Sequence, residues 1–428
     1  MSSSAAAAAG FFVTSCIGER LSTSPEPRPT FGSPAPELST RWPIDRVVYL
    51  MLENRSFDNL FGRYPGVNGT RTGVRWGEEV RLRRCPEWLP GDLPHDTASW
   101  HVSYNDGKMD GFAIGEYGPH FAYSQFDRPD VPNYFHWADD YVLCDNVFAS
   151  VAGPSYPNHL FMIAGQAGGA IDNPENIKTK QLDDGNVTRH STCFDMETVG
   201  HQLTKREIDW AFYSADPYQA GYIWQAYSSI DDIFHDEEMW REHIWPVDDL
   251  IRDIEADALP SVTWVTPRFQ LSDHPPFSTR HAHNWVTDIV NAIMRSSMWG
   301  ATAIFISWDE WGGLYDHVAP PRIDDVELGF RVPMMVISPY AKRGYADDAF
   351  GEFSSPLRFI ADNWDLPYLT PRIRDSHNFR HVFDFDRPPR RPRPREHVRA
   401  TNDFWDWPDS FRGWPDALDP EDPKIRYP

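Results

Sequence analysis

The sequence predicts an α/β fold, a mostly parallel central sheet sandwiched by helices, with long loop insertions. Three observations carry this. Short apolar, β-branched runs recur along the chain, segments of helical period stand between several of them, and those segments lead straight into the next run.

The runs lie at residues 47–52, 208–213, 262–266, 301–306 and 334–337, with the length and β-branched content of buried strands. Val247, Leu250, Ile251, Ile254 and Leu259 share one helical face before Pro260 stops the helix. Trp285, Ile289, Ile293 and Met294 share another before Gly300. Residues 63–150 and 165–195 are rich in Gly, Asp, Pro and aromatics, and read as loops and insertions on a single domain at 41–385.

Outside that domain the composition changes. An apolar stretch at 5–13 leads into Thr14-Ser15-Cys16. It has the look of an export signal without its basic region, or of a disordered tail. An extracytoplasmic or secreted location is therefore expected ahead of a cytoplasmic one. Residues 22–36 are Pro/Ser-rich, which marks a linker and bounds an N-terminal segment at 1–40. The tail at 386–428 is Pro/Arg-rich, then Trp/Pro/Asp-rich, and is expected to wrap the surface. No run reaches the ~18 apolar residues of a transmembrane helix.

Composition narrows the function. The chain has 428 residues, 41% hydrophobic and 14% aromatic, which excludes wholesale disorder. A formal net charge of −23 disfavours nucleic acid as a partner. A phosphate-handling site in so acidic a chain needs local positive charge, and bound metal is the obvious source. Cys16, Cys85, Cys144 and Cys193 stand far apart with no C-x-x-C, which argues against a zinc knuckle. Their pairing stays open, as does the oligomeric state.

In an open parallel sheet, ligands bind beyond the carboxyl ends of the strands. Glu53 and Asn54 follow the run at 47–52, Asp309 and Glu310 follow that at 301–306, and Asp273-His274-Pro275-Pro276 follows that at 262–266. Singly, each reads best as a cap or turn; together they make a site. Glu53, Asn54, Asp309 and Glu310 offer only oxygen, a set that suits Mg²⁺, Ca²⁺ or Mn²⁺ better than zinc. Signatures of zincins, P-loops, dinucleotide folds and the nucleophile elbow are absent from the sequence. Ser155, in Gly153-Pro154-Ser155-Tyr156-Pro157-Asn158, precedes an apolar helical run. It reads either as a helix cap or as a nucleophile near a helix N-terminus. Among 16 His, His274 is distinguished by its strand-end loop with Asp273.

The run Glu53-Asn54-Arg55-Ser56-Phe57-Asp58 resembles the E-N-R-S-F-D signature of the bacterial phosphoesterase family. That family holds non-specific phospholipases C and a group of acid phosphatases, within the alkaline phosphatase superfamily. The same landmarks follow in order over residues 43–365: His95 and His101 ahead of Gly-Lys-Met-Asp-Gly-Phe, then Gly-Pro-Ser-Tyr-Pro-Asn and Asp273-His274-Pro-Pro. Trp-Asp-Glu-Trp-Gly-Gly-Leu-Tyr-Asp-His-Val and Arg331-Val-Pro-Met-Met-Val-Ile-Ser-Pro-Tyr complete the series.

The resemblance implies an alkaline-phosphatase-like fold and metal-dependent hydrolysis of a phosphoric ester through a phosphoserine at Ser155. It makes Glu53, Asn54, Asp309 and Glu310 the metal ligands. His95 and His274 become the groups that bind phosphate or protonate the leaving oxygen, with His101, Asp273 and His317 as further candidates. His159 stands where many relatives have Arg, so no role is carried to it. The expected substrate is a small phosphate ester or phospholipid head group, handled as by a phospholipase C or phosphodiesterase. An acid phosphomonoesterase and a catalytically inactive binding protein are the alternatives. Trp100, Tyr104, Phe112, Tyr134, Phe135 and Trp137 read as core, or else as a cage for a choline cation.

Overall fold

The computed structural model describes residues 40–174, 180–181, 187–188, 193–216 and 219–400. The export-like stretch, the linker and the tail beyond residue 400 lie outside them. At the centre is an eight-stranded sheet. In chain order its strands are β1 (Arg46–Leu52), β2 (Val142–Phe148), β3 (Trp210–Ser214) and β4 (Ile244–Pro246). Then come β5 (Val262–Val265), β6 (Thr302–Trp308), β7 (Arg331–Ile337) and β8 (Tyr345–Asp347).

They lie side by side as β4-β3-β5-β1-β6-β7-β2-β8. Every pairing is parallel except the two made by β7, which runs antiparallel to β6 and β2. All seven residues of β1, of β6 and of β7 are buried. Continuous apolar strands are what two covered faces require, so the mixed sheet is flanked by helices as the sequence predicts.

The helices that matter for the site are α1 (Phe57–Phe61), α2 (Thr97–Tyr104), α3 (Pro132–Asp140) and α4 (Ser155–Ala164). After these come α5 (Leu250–Glu255), α6 (Thr279–Arg295) and α7 (Ser354–Trp364). α5 and α6 pack together and feed β5 and β6, while α7 packs on α4. The two helices read from periodicity are α5 and α6.

One expectation fails here. Residues 142–148, read as part of a loop region, form β2 inside the sheet. Asp145 and Asn146 interrupt its apolar run, which hides it from a search for continuous hydrophobicity. The fold accommodates both side chains, since Asp145 Oδ2 accepts from the Asn68 amide at 2.7 Å and the Asn146 side chain donates to the Asp348 carbonyl at 3.0 Å. The three-residue strands β4 and β8 are too short to leave a pattern.

Trp100, Phe112, Tyr134, Phe135 and Trp137 are core residues, and Tyr104 stacks on Trp100 with ring centroids 4.8 Å apart. The core reading holds and the choline cage does not. Cys85 and Cys144 are buried free thiols, and Cys193 is disulfide-bonded.

The described part of the tail does wrap the surface, as a strap along α6. Asn291 and Asn284 each exchange two hydrogen bonds with its backbone, at Arg395 and Val398. Arg393 and Arg395 close on Asp140 at the end of α3. No helix among the described residues is long and apolar enough to cross a membrane.

Candidate active site

Ser155 is the first residue of α4, and the turn before it is fixed by its neighbours. Asn158 accepts from the Val151 amide at 2.9 Å and donates to the Pro154 carbonyl at 3.0 Å. Gly153 permits the close passage, since a Cβ there would sit 2.3 Å from the Ile171 carbonyl oxygen. The helix cap is Pro154, with no side-chain cap bond. The capping alternative for Ser155 therefore fails. Its hydroxyl instead donates to Glu53 Oε2 at 2.9 Å, while the Tyr156 amide that follows donates to Asn173 Oδ1 at 3.0 Å.

Glu53 and Asn54 leave the carboxyl end of β1, and Asp309 and Glu310 leave that of the adjacent β6. The Asp309 amide donates to the Leu52 carbonyl and the Glu53 amide to that of Ser272, which ties three strand ends into one rim. Asn54 adopts φ +60°, and its amide donates to Asp309 Oδ1 at 2.9 Å. Gly312 is required beneath it, because a Cβ would lie 2.6 Å from that of Asn54. Glu310 Oε2 accepts from the Gly312 amide at 2.7 Å.

All four side chains are fully buried. Yet Asn54 Oδ1, Asp309 Oδ2 and Glu310 Oε1 meet no hydrogen-bond partner. Burial, with the neighbouring Asp309 next, pushes Glu53 well above the usual carboxylate range; burial does the same to Glu310. Orphaned oxygens on crowded, desolvated acids are the demand that a cation meets. The residues fit a divalent metal.

His159 joins this group, although the sequence assigned it nothing. One ligand atom each from Glu53, His159 and Asp309 lies within 4.8 Å of the others. Burial pushes its ring down to about 4, so it is neutral at physiological pH. The signal was its place four residues after Ser155, on the same helical face. With a nitrogen this close, the premise that the cluster offers only oxygen no longer holds as stated.

His95 and His274 stand together, with ring centroids 5.8 Å apart. Each sets its Nδ1 2.6 Å from a backbone carbonyl, that of Leu93 and of Pro275 respectively, which leaves Nε2 free for other work. Asp92, which the sequence reading also missed, lies between them at 3.6 Å from His95 Nδ1 and 3.8 Å from His274 Nε2. Burial pulls His95 down, but Asp92, Glu310, the Leu93 carbonyl and Asp309 outweigh it and hold it at about 9. Burial keeps His274, packed on Phe269, below its ordinary value.

Asp273 faces the core instead. It accepts from Trp308 Nε1 at 2.8 Å, and burial pushes it up to about 6 against the pull of Arg55. His101 and His317 are not brought to the cluster. His101 lies half-exposed on α2, 3.9 Å from Glu327. His317 pairs with Asp58, in a buried network that Arg331 closes on Asp58 and Asp316.

The sequence profile of the phosphoesterase family matches residues 44–367. The chain is similar to the hemolytic phospholipase C of Pseudomonas aeruginosa, 26% identical over 74% of this chain and 52% of that one. It is similar to phospholipase C A of Mycobacterium tuberculosis, 26% identical over 82% and 79%, and to non-specific phospholipase C6 of Arabidopsis thaliana, 27% identical over 72% and 64%. The chain spans about half the length of the first relatives it matches. A solved alkaline phosphatase superfamily protein from Vibrio parahaemolyticus aligns at 12% identity and a TM-score of 0.37, over 82% of this chain and 75% of that one.

Proposed function

The chain belongs to the phosphoesterase family, and from that premise we propose that it is a metal-dependent phosphoric ester hydrolase of phospholipase C or phosphodiesterase type. The observation that carries the reading is the Ser155 hydroxyl, aimed at Glu53 and set beside three buried oxygens without partners. The relatives named phospholipase C support the same substrate class.

A divalent cation held by Glu53, Asn54, Asp309 and Glu310 supplies the positive charge that a phosphate ester needs in so acidic a site. Ser155 Oγ attacks phosphorus and gives up its proton along the bond to Glu53 Oε2. The P–O bond to the leaving alcohol breaks, and that oxygen takes a proton from His95, with His274 beside it. Water then attacks phosphorus and gives its proton to His95, the P–O bond to Ser155 breaks, and Ser155 Oγ takes the proton back from Glu53 as the phosphate product leaves.

The test compares p-nitrophenyl phosphorylcholine with p-nitrophenyl phosphate, with and without a chelator. Preference for the choline diester, lost on metal removal and restored by added metal, is the expected result. Preference for the monoester would move the assignment to a phosphomonoesterase on the same scaffold. Inertness toward both would favour a binding protein, and full activity after thorough metal removal would overturn the mechanism.

A further inference from the structure

His159 presents two unlike nitrogens to its surroundings. Nε2 lies 2.8 Å from Glu53 Oε1 and 4.0 Å from Asp309 Oδ2. Nδ1 is buried and meets no hydrogen-bond partner, and the ring runs nearly parallel to Trp224 with centroids 6.3 Å apart. The surroundings of each nitrogen decide which of them carries a proton.

With the proton on Nδ1, a buried N–H would face no acceptor. With the proton on Nε2, the short contact to Glu53 is a hydrogen bond to a carboxylate, and only an acceptor goes unmet. An orphaned buried N–H is rarer and costlier than an under-used acceptor. A ring nitrogen that binds a metal normally has its other N–H taken by a carbonyl or carboxylate. His159 has no such partner.

We infer that His159 is a positioning residue that donates from Nε2 to Glu53 Oε1, and not a ligand of the cation. The inference rests on the reading of Glu53 as a metal ligand. It divides the carboxylate: Oε1 is held by His159 and Oε2 accepts from Ser155, so the ring sets the rotation of Glu53 and through it the aim of Ser155. The ligand shell stays all oxygen despite the nearby nitrogen, and the preference for a hard cation is kept.

Two measurements test this on the full chain. Histidine-nitrogen NMR of the metal-free protein, with the His159 signals assigned by their loss in His159→Leu, reads the tautomer directly. An Nε2–H form is expected; an Nδ1–H form overturns the hydrogen bond. Mn²⁺ titration and pulsed EPR then compare wild type, His159→Leu and His159→Gln. Affinity should fall about 10–100-fold in His159→Leu and recover in His159→Gln, whose amide can donate, and the wild-type spectrum should show no directly bound nitrogen. Unchanged affinity in His159→Leu, or a strongly coupled nitrogen, overturns the positioning role. Failure of wild type to bind Mn²⁺ would sink the cation reading, and the tautomer would still decide the hydrogen bond.

Discussion

A serine at the start of a helix ordinarily caps it, and what sets Ser155 apart is that its hydroxyl bonds to a carboxylate 102 positions away instead. Ser155→Ala is expected to lower turnover by about three orders of magnitude or more. It should shift stability by no more than about 1–2 kcal/mol, the scale of one hydrogen bond. Steady-state rates and thermal unfolding check the two halves, and substantial residual activity would mean that another group attacks. At this scale the carboxylates were legible because they follow apolar runs directly, as Glu53 follows Leu52. His159 and Asp92 were not, since one lies inside an apolar helix and the other inside an insertion, and only the fold brings them to the rim. Asp273 and His317 show the converse. Each sits in a recognisable motif, yet Asp273 bonds to Trp308 and His317 to Asp58.

α6 shows how one element ties the site to the rest of the chain. Its first residue, Thr279, accepts from Arg55 Nη2 at 2.8 Å, and Arg55 Nη1 donates to the Asn54 carbonyl at 2.9 Å. Further along, His283 Nε2 accepts from the Asn133 amide of α3 at 3.0 Å, and burial pushes its ring down from 6.5 to about 3. Between those values the unfolded chain binds a proton that the fold excludes, so stability rises with pH through the window. On acidification the loss is up to about 1.4 kcal/mol per pH unit. His283→Gln keeps an acceptor but cannot titrate, so denaturant unfolding between pH 4 and 6 should show a shallower slope than wild type. Equal slopes would contradict the assignment. α6 and the strand after it could be read from period and β-branching alone. β2 could not, because Asp145 interrupts its apolar run and meets the Asn68 amide only in the folded chain.

For the molecule as a whole, the strap is the feature that composition suggested without locating. Its Pro/Arg-rich sequence cannot form a helix, and its meaning comes from the Asn284 and Asn291 side chains on which it lies. Removing residues 386–428 also takes Arg393 and Arg395 from the buried Asp140. Arg343 stays beside Asp140 at 3.4 Å and the two lost arginines are partly exposed, so the expected cost is about 1–2 kcal/mol, seen as a thermal midpoint lower by a few degrees; an unchanged midpoint would mean that the strap carries no stability. The charge of −23 has likewise gained a local use, since part of it converges at the ends of β1 and β6, where a cation and then a phosphate ester would be received. The most direct measurement is acid-quenched mass spectrometry of the enzyme during turnover of a phosphoric ester. The account predicts a transient phosphoryl adduct on the peptide that contains Ser155, which decays when substrate runs out and is absent from Ser155→Ala. Rapid turnover with Ser155 unmodified at every time point would contradict it.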